Sequence, residues 1–270
     1  MPAPEALPEA DWLGFCRRAA DGARTALGGF ASAAERSVET HRGAGGDMTL
    51  VIDSAAEDAV FAELESLDMP LTAISEERGE VELRGGGPVR VVIDPVDGSL
   101  NAKRGVPFSA VSIAVASGPR MSDVQLGYVA ELDHEVDWWA VRGEGAYHQG
   151  QRLAPLEPRP LELLAIESAH PEAVAEAAAR LAGLGAERVR GLGSVALTLC
   201  LVAAGRLDAM VSLRSVRSVD AAAGQLLVVE TGGAVRFPED DSLSLDMRSR
   251  VVAARDAELL ERVLGAAASG

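Results

Sequence analysis

The spacing of apolar residues predicts different elements in successive regions of the chain. Over residues 8–41 the spacing is close to 3.6, which predicts one or two amphipathic helices with a break near Gly28. Residues 41–48 are rich in glycine and predict a loop. Residues 53–67 predict a helix whose first turn carries acidic residues, where they suit the helix dipole.

The middle of the chain is rich in short runs that predict strands. Residues 71–75 predict a strand, and the polar, glycine-rich stretch 78–88 predicts a surface loop. A further strand runs up to Asp94. Strands separated by turn residues follow, and they predict an antiparallel or mixed sheet. These strands are expected at 109–117, 123–132, 135–142 and 145–153.

The pattern changes after residues 156–162, where we place a boundary between an N-terminal α+β half (1–155) and a C-terminal α/β half (156–270). Beyond it strands and helices alternate, which indicates a layered α/β arrangement. The predicted strands are 163–168, 187–191, 207–213, 233–237 and 250–254, and the predicted helices are 171–184, 194–204, 220–231 and 256–267.

Composition and charge restrict the class of protein. Hydrophobic residues make up 48% and charged residues 24% of the 270 positions, which is typical of a globular protein. A net charge of -16 argues against binding nucleic acid or anionic lipid through a basic surface. Cys16 and Cys200 lie far apart, no apolar run approaches the ~20 residues of a membrane span, and the N-terminus has no basic signal region. We therefore expect a cytoplasmic protein without disulfides.

Acidic residues occur where predicted elements begin or end, which is where α/β folds gather ligands. Asp53 and Asp220 fall at helix starts, Glu76 follows a strand, and Asp94 and Asp97 follow another strand. An aspartate at a helix start is more often an N-cap, and a glutamate after a strand is more often a solvated loop residue. Taken alone, Asp53 and Asp220 therefore predict caps.

Asp94 and Asp97 carry a stronger signal. The strand that delivers Asp94 is apolar, and Pro95 fixes the backbone between the two carboxylates. Two carboxylates so close repel each other unless a cation lies between them, and oxygen ligands without nearby histidine or cysteine suit Mg²⁺ or Mn²⁺. If a helix starts near Ser99, its free N–H groups and hydroxyl form an anion cradle beside the cations. Together these features predict metal-assisted phosphoryl transfer to water.

The motif "DPVDGSLN" resembles the Asp-Pro-Ile/Leu-Asp-Gly-Thr-x-Asn signature of the inositol monophosphatase superfamily, the lithium-sensitive, Mg²⁺-dependent phosphomonoesterases. "LVIDSAAED", "ISEE", "RGLGSVALTLCLVAAG" and "SVDAAAGQLLVVETGGAV" are similar to further family segments, in the same order. The resemblance spans about residues 45–255. It implies a layered αβαβα sandwich (an α/β, α+β fold), a homodimer, a small phosphorylated polyol or sugar as substrate, and two or three Mg²⁺ ions, with Mn²⁺ as a possible substitute.

The resemblance also implies roles for individual residues. The implied metal ligands are Glu76, Asp94, Asp97, Asp220 and the main-chain carbonyl of Val96, with Asp47 at a weaker additional site. The implied catalytic residues are Asp53 and Ser99, which orient and deprotonate the attacking water, together with Glu76. The implied substrate contacts are Asp97, Gly98, Ser99, Gly193 and Ser194.

Substrate choice depends on positions where the chain departs from inositol-specific relatives. Leu213 and Val219 stand where those relatives usually have glutamate and tryptophan. The segments that hold Lys103, Arg104, Arg214 and Arg217 resemble instead the archaeal-type branch, whose members hydrolyse inositol 1-phosphate and fructose 1,6-bisphosphate. We expect Arg104 and Arg214 to contact a second phosphate, although each is equally consistent with a solvated surface charge or with pairing to a local carboxylate.

Two other functions remain open from the sequence. One is a nucleotide 3'-phosphatase acting on adenosine bisphosphates, and the other is a non-catalytic binding protein on the same fold. The presence of all the expected carboxylates favours an enzyme.

Overall fold

The computed structural model describes residues 7–46, 48–168 and 170–267. Within these ranges the chain forms eight α-helices and fifteen strands. The helices are α1 (Trp12–Gly28), α2 (Ala33–Arg36), α3 (Val51–Ser66), α4 (Ser99–Arg104), α5 (Pro171–Ala182), α6 (Val195–Ala203), α7 (Ser218–Glu230) and α8 (Ala257–Ala267). The strands are β1 (Glu39–Arg42), β2 (Met48–Leu50), β3 (Leu71–Ser75), β4 (Gly79–Leu83), β5 (Arg90–Asp97), β6 (Ala110–Ala116), β7 (Val124–Glu131), β8 (Asp137–Val141), β9 (Gly145–His148), β10 (Gln151–Arg152), β11 (Leu163–Glu167), β12 (Arg188–Arg190), β13 (Ala209–Ser212), β14 (Ala234–Arg236) and β15 (Val252–Ala254).

Two sheets organise the molecule. The large sheet has the strand order β10-β9-β8-β7-β6-β5-β3-β4, and its neighbours are antiparallel except for the parallel pair β3 and β5. The small sheet has the order β12-β11-β13-β15-β14, with β11 parallel to both β12 and β13. A separate hairpin joins β1 to β2.

The helices and sheets stack in five layers. Apolar residues of α1 and α3, such as Phe15 and Phe61, form one core with the outer face of the large sheet. Residues of α6 and α7, such as Leu199 and Leu226, share a second core with both sheets. Residues of α5 and α8, such as Leu260, pack on the far face of the small sheet. The predicted αβαβα sandwich is therefore confirmed.

Close packing of α7 on the large sheet depends on one glycine. A Cβ at Gly127 of β7 would lie 2.4 Å from the carbonyl oxygen of Ala223 in α7, far inside van der Waals contact. Any larger residue would therefore push α7, which carries Asp220, away from the sheet.

Most predicted elements are confirmed, including all those beyond residue 156. The predicted surface loop at 78–88 is wrong, because β4 occupies residues 79–83 and pairs with β3. Val81 and Leu83 of β4 are half-buried whereas Glu80 and Glu82 are exposed, as expected of an edge strand with one solvated face. The same alternation is visible in the sequence, but the glycines on either side of it favour the interpretation as a loop.

The boundary predicted at 156–162 stays a prediction. The large sheet ends at Arg152 and the small sheet begins at Leu163, but the core around α6 and α7 joins both. Cys16 and Cys200, the two cysteines of the sequence, are both buried free thiols. No helix in the described part of the chain is long and apolar enough to span a bilayer.

Candidate active site

A cavity of about 750 Å³ brings together residues from both halves of the chain. Most residues predicted for the site lie in its wall. The N-terminal half contributes Glu76, Asp94, Val96, Asp97, Gly98 and Ser99, and the C-terminal half contributes Gly193 and Asp220. The wall also contains Glu167, Arg217 and Arg248, which we did not assign from the sequence. Asp47 lies outside the described residues.

Three carboxylates in this wall form a compact group. One oxygen from each of Glu76, Asp94 and Asp220 lies within 4.8 Å of the others. The parallel pairing of β3 with β5 places Ser75 beside Ile93, so Glu76 and Asp94 follow side by side. Asp220 comes from the first turn of α7, packed across the sheet. The fold thus converges three anionic side chains that are far apart in sequence.

The electrostatics of this group favour a bound cation. Burial raises the pKa of Glu76 to about 8, with further increases from Asp220 and Glu77 that Arg217 partly offsets. Burial also holds the pKa of Asp94 well above its usual range, with additional repulsion from Glu76 and Asp97. A divalent cation would remove this repulsion and stabilise the ionised forms. Because the donors are all carboxylates, the group fits a hard metal ion bound through oxygen.

Asp97 adopts a different arrangement from the other carboxylates. One of its oxygens accepts hydrogen bonds from the Ser194 hydroxyl at 2.5 Å and the Ala196 N–H at 2.7 Å, and the other accepts from the Val195 N–H at 3.3 Å. Burial and the Asp220 charge raise the pKa of Asp97 to about 7 despite these hydrogen bonds. Asp97 therefore caps the N-terminus of α6, and its metal-ligand role stays a prediction.

The turn from β5 into α4 has a tightly defined geometry. The Val96 N–H donates to Asp94 Oδ1 at 3.0 Å, and the Ser99 hydroxyl donates to the Val96 carbonyl at 2.8 Å. Gly98 has φ +88°, and a Cβ there would lie 2.9 Å from the Phe108 carbonyl oxygen. Only glycine therefore fits at this turn. The predicted helix start at Ser99 is confirmed.

Asp53 is a buried carboxylate with one uncommitted oxygen. The predicted N-cap position is wrong, because Leu50 is the N-cap of α3 and Asp53 is its third residue, but the Asp53 Oδ2 accepts the Leu50 N–H at 3.0 Å and so still caps the helix start. The Asp53 Oδ1 has no hydrogen-bond partner within the described residues, and the Ser99 hydroxyl, which donates to the Val96 carbonyl, lies nearby. Burial raises the pKa of Asp53 to about 6, although the Leu50 N–H and Ser99 lower it. Such an oxygen can accept a proton near neutral pH.

Glu167 was missed by sequence reasoning, and it orders the opposite wall. It ends β11, and its carboxylate accepts the N–H groups of Leu192 at 3.1 Å and Gly193 at 2.9 Å and the Thr198 hydroxyl at 2.8 Å. Burial raises its pKa. Its position at a strand end was a usable signal, since the same argument selected Asp94.

Glu57 was also missed, and it holds the turn that carries Glu76. This buried α3 side chain accepts hydrogen bonds from the Ser75 hydroxyl and from the Arg78 N–H at 3.1 Å. Its other oxygen lies 3.3 Å from Arg78 Nε. Both of its partners flank Glu76, so Glu57 positions that predicted ligand.

The structure separates the predicted cations into two sets. Arg217 lies in the cavity wall, where its Nη2 is 2.5 Å from Glu76 Oε1. Arg104 is exposed and Arg214 is half-exposed, 3.8 Å from Glu172, and neither is among the described residues of the cavity wall. Their predicted substrate contacts stay predictions. Arg248, from the loop before β15, supplies the second arginine of the wall.

Comparison with known proteins agrees with this site. The model of the Inositol monophosphatase family matches residues 14–269. The chain is 32% identical over 267 residues to the fructose-1,6-bisphosphatase/inositol-1-monophosphatase of Methanothermobacter thermautotrophicus, covering 94% of this chain and 95% of the relative. It is 34% identical over 229 residues to the protein of that description from Thermococcus kodakarensis, covering 82% and 83%. The crystal structure of the extragenic suppressor protein suhB from Bartonella henselae is similar, with a TM-score of 0.81 at 25% identity over 97% of this chain and all of that one. With the matching motifs, fold and acidic group, the chain belongs to the inositol monophosphatase family.

Proposed function

We propose that this protein is a Mg²⁺-dependent phosphomonoesterase that hydrolyses a small phosphorylated polyol or sugar, namely inositol 1-phosphate, fructose 1,6-bisphosphate or both. Membership of the family makes it a phosphoric monoester hydrolase. The observation that carries the metal dependence is the convergence of Glu76, Asp94 and Asp220 in one cavity. The curated relatives carry both substrate names, which supports these two candidates.

Each side of the cavity has a distinct task in this proposal. Glu76, Asp94 and Asp220 hold the cations, and Val96, whose carbonyl accepts the Ser99 hydroxyl, lies in the same wall. Bound Mg²⁺ would neutralise the phosphate dianion and lower the pKa of a water molecule from about 15.7 towards neutrality. Asp53 is not among the described residues of the wall, but it lies beside Ser99, which is, and its Oδ1 has no other partner in the described structure; this oxygen orients the attacking water and takes its proton.

The cavity size and its polar wall fit a phosphorylated polyol. A volume of about 750 Å³ is within the usual range for small-molecule sites. Glu167 and Asp97 fix the loop and helix start at 192–196, so this wall is rigid before substrate arrives. Hydroxyl groups of the leaving alcohol face this wall, where carboxylate oxygens and backbone groups offer hydrogen bonds.

The cavity wall also argues against the two alternative functions, a nucleotide 3'-phosphatase and a non-catalytic binding protein. Among its described residues there is no aromatic ring on which an adenine would stack, which disfavours a nucleotide 3'-phosphatase. A non-catalytic binding protein has no need of three converging carboxylates whose repulsion calls for a cation. Hydrolysis of a polyol or sugar phosphate is the function that the site supports best.

Phosphate release from a panel of three substrates tests this proposal. Inositol 1-phosphate, fructose 1,6-bisphosphate and adenosine 3',5'-bisphosphate are each supplied with Mg²⁺ and, separately, with EDTA. We expect Mg²⁺-dependent release from the first or second substrate, abolished by EDTA and by Asp94→Asn. Preference for adenosine 3',5'-bisphosphate would refute the substrate class, and release from none of them with Mg²⁺ would refute the function.

A further inference from the structure

Arg217 places a fixed positive charge inside the acidic group. Its Nη2 lies 2.5 Å from Glu76 Oε1 and 3.7 Å from Asp220 Oδ1. The three side chains are only 17%, 13% and 13% exposed. The backbone N–H of Arg217 also donates to Asp220 Oδ2 at 2.8 Å, so the start of α7 holds the arginine in place. Arg217 and Glu76 therefore form a largely buried, positioned ion pair between the two halves of the chain.

The arginine and a metal ion would compete for the same oxygens. Mg²⁺ binds carboxylate oxygens at about 2.0–2.1 Å. An ion on Glu76 Oε1 would lie within about 5 Å of the guanidinium that contacts that oxygen. Because a guanidinium is always protonated, it cannot relieve this repulsion by losing a proton. Metal binding at Glu76 Oε1 should therefore weaken the Arg217 contact, and the arginine should weaken metal binding.

We propose that Arg217 is an internal counter-cation that stabilises the metal-free site and weakens divalent-metal binding by competing for Glu76 and Asp220. This inference rests on the proposed function, since it concerns the same metal group. It assigns Arg217 a role that differs from that of Arg214, which lies three residues earlier in the loop before α7 and pairs only loosely with Glu172. The arginine acts through the ligands and is a positioning residue.

Removal of Arg217 should have two opposite effects, namely lower stability without metal and tighter binding of Mg²⁺. In EDTA, Arg217→Met should lower the thermal midpoint, because three largely buried carboxylates lose their cation. The same variant should bind Mg²⁺ about tenfold more tightly by calorimetry, which corresponds to 1.4 kcal/mol. The titration is run at about pH 9, so that protons do not replace the missing arginine on the carboxylates. Arg214→Met is the matched control, since it removes the same charge from the same loop, and its Mg²⁺ affinity should stay within about twofold of wild type.

A measurement on the wild-type protein covers the case in which the variant does not fold. The Nε–H proton of Arg217, followed by NMR, should exchange slowly in EDTA and faster at saturating Mg²⁺, because the ion pair opens. Unchanged or weaker Mg²⁺ binding by Arg217→Met, or unchanged exchange in the wild type, would overturn the inference alone. A wild-type protein that neither binds Mg²⁺ nor releases phosphate would overturn it together with the proposed function.

Discussion

Replacing Glu57 by glutamine tests whether a residue outside the cavity positions the metal site. The Glu57 carboxylate accepts hydrogen bonds from the Ser75 hydroxyl and the Arg78 N–H and pairs with Arg78 Nε at 3.3 Å. Glutamine has nearly the same shape, but its amide group turns one acceptor into a donor that faces the guanidinium. The change therefore removes charge and one contact without creating a cavity.

The contacts set the size of the expected effect. Hydrogen bonds to a charged group contribute about 1.5–3 kcal/mol each, and glutamine keeps at least one acceptor. The ion pair with Arg78 contributes less to this free energy, because Arg78 is 37% exposed to solvent and keeps a second partner in Asp58. We expect Glu57→Gln to lower the free energy of unfolding by about 2 kcal/mol. Residues that orient metal ligands typically change affinity 10–100-fold, so we expect Mg²⁺ binding to weaken by about tenfold.

Urea unfolding in EDTA and Mg²⁺ calorimetry measure the two effects separately. Glu63→Gln is the matched control, because Glu63 lies on the same helix and pairs with the exposed Arg18 at 2.8 Å. Such a surface pair contributes about 0–1 kcal/mol, and its loss should leave Mg²⁺ affinity unchanged. If Glu57→Gln loses stability yet binds Mg²⁺ as wild type does, Glu57 supports the fold but does not position Glu76.

Three further predictions concern single side chains. Asp53→Asn should lower kcat about 10²–10⁴-fold in phosphate-release assays while calorimetric Mg²⁺ affinity stays close to wild type; unchanged kcat would exclude Asp53 as the base. Asp220→Asn should keep the cap on α7, since its amide oxygen still accepts the backbone N–H of Arg217. The variant should nevertheless bind Mg²⁺ at least about tenfold more weakly. A large fall of the melting midpoint in EDTA would show instead that the charge is structural. Asp208→Ala should cost about 3–5 kcal/mol in urea unfolding, because it leaves the buried Arg255 with only Asp256 as an ion-pair partner and the Glu162 and Leu163 N–H groups without their acceptor. The pKa of Asp208 is lowered, because its hydrogen bonds to backbone N–H groups and Arg159 outweigh the effect of burial. The difference in free energy of unfolding between wild type and variant should therefore be full above about pH 4 and shrink as the pH falls below it. A difference that does not change with pH would contradict this.

Local chemistry explains what the sequence predicted well. The segment from Asp94 to Ser99 carries its geometry within a few residues, because Gly98 alone fits the turn and the hydroxyl and carboxylate bond to their own neighbours. The capping contacts of Asp53 and Asp220 also follow from local rules. Each uses one oxygen to accept a backbone N–H at its helix start, so the other oxygen is not needed for the cap and the proposed functional roles are compatible with capping.

The missed residues depend on contacts that no local pattern encodes. Glu57 is one of several glutamates on α3, and only the packing of the β3–β4 turn against that helix makes it a buried acceptor. Arg214 and Arg217 lie three residues apart, and the path of the chain from β13 into α7 decides which of them enters the cavity. The sequence identified the charges, whereas tertiary packing determined which of them face the site.

The two halves of the chain meet at the site through polar contacts rather than through the sheets. Asp97 of β5 accepts hydrogen bonds from the start of α6, Asn101 Nδ2 donates to the Leu192 carbonyl at 2.8 Å, and Glu76 pairs with Arg217. Each contact joins a buried or half-buried group from one half to a partner in the other, so loosening the core around α6 and α7 would leave these groups unpaired. The packing of the central core and the assembly of the acidic group therefore depend on each other. A bound cation, which favours the assembled group, should stabilise the packing of the two halves as well as the carboxylates.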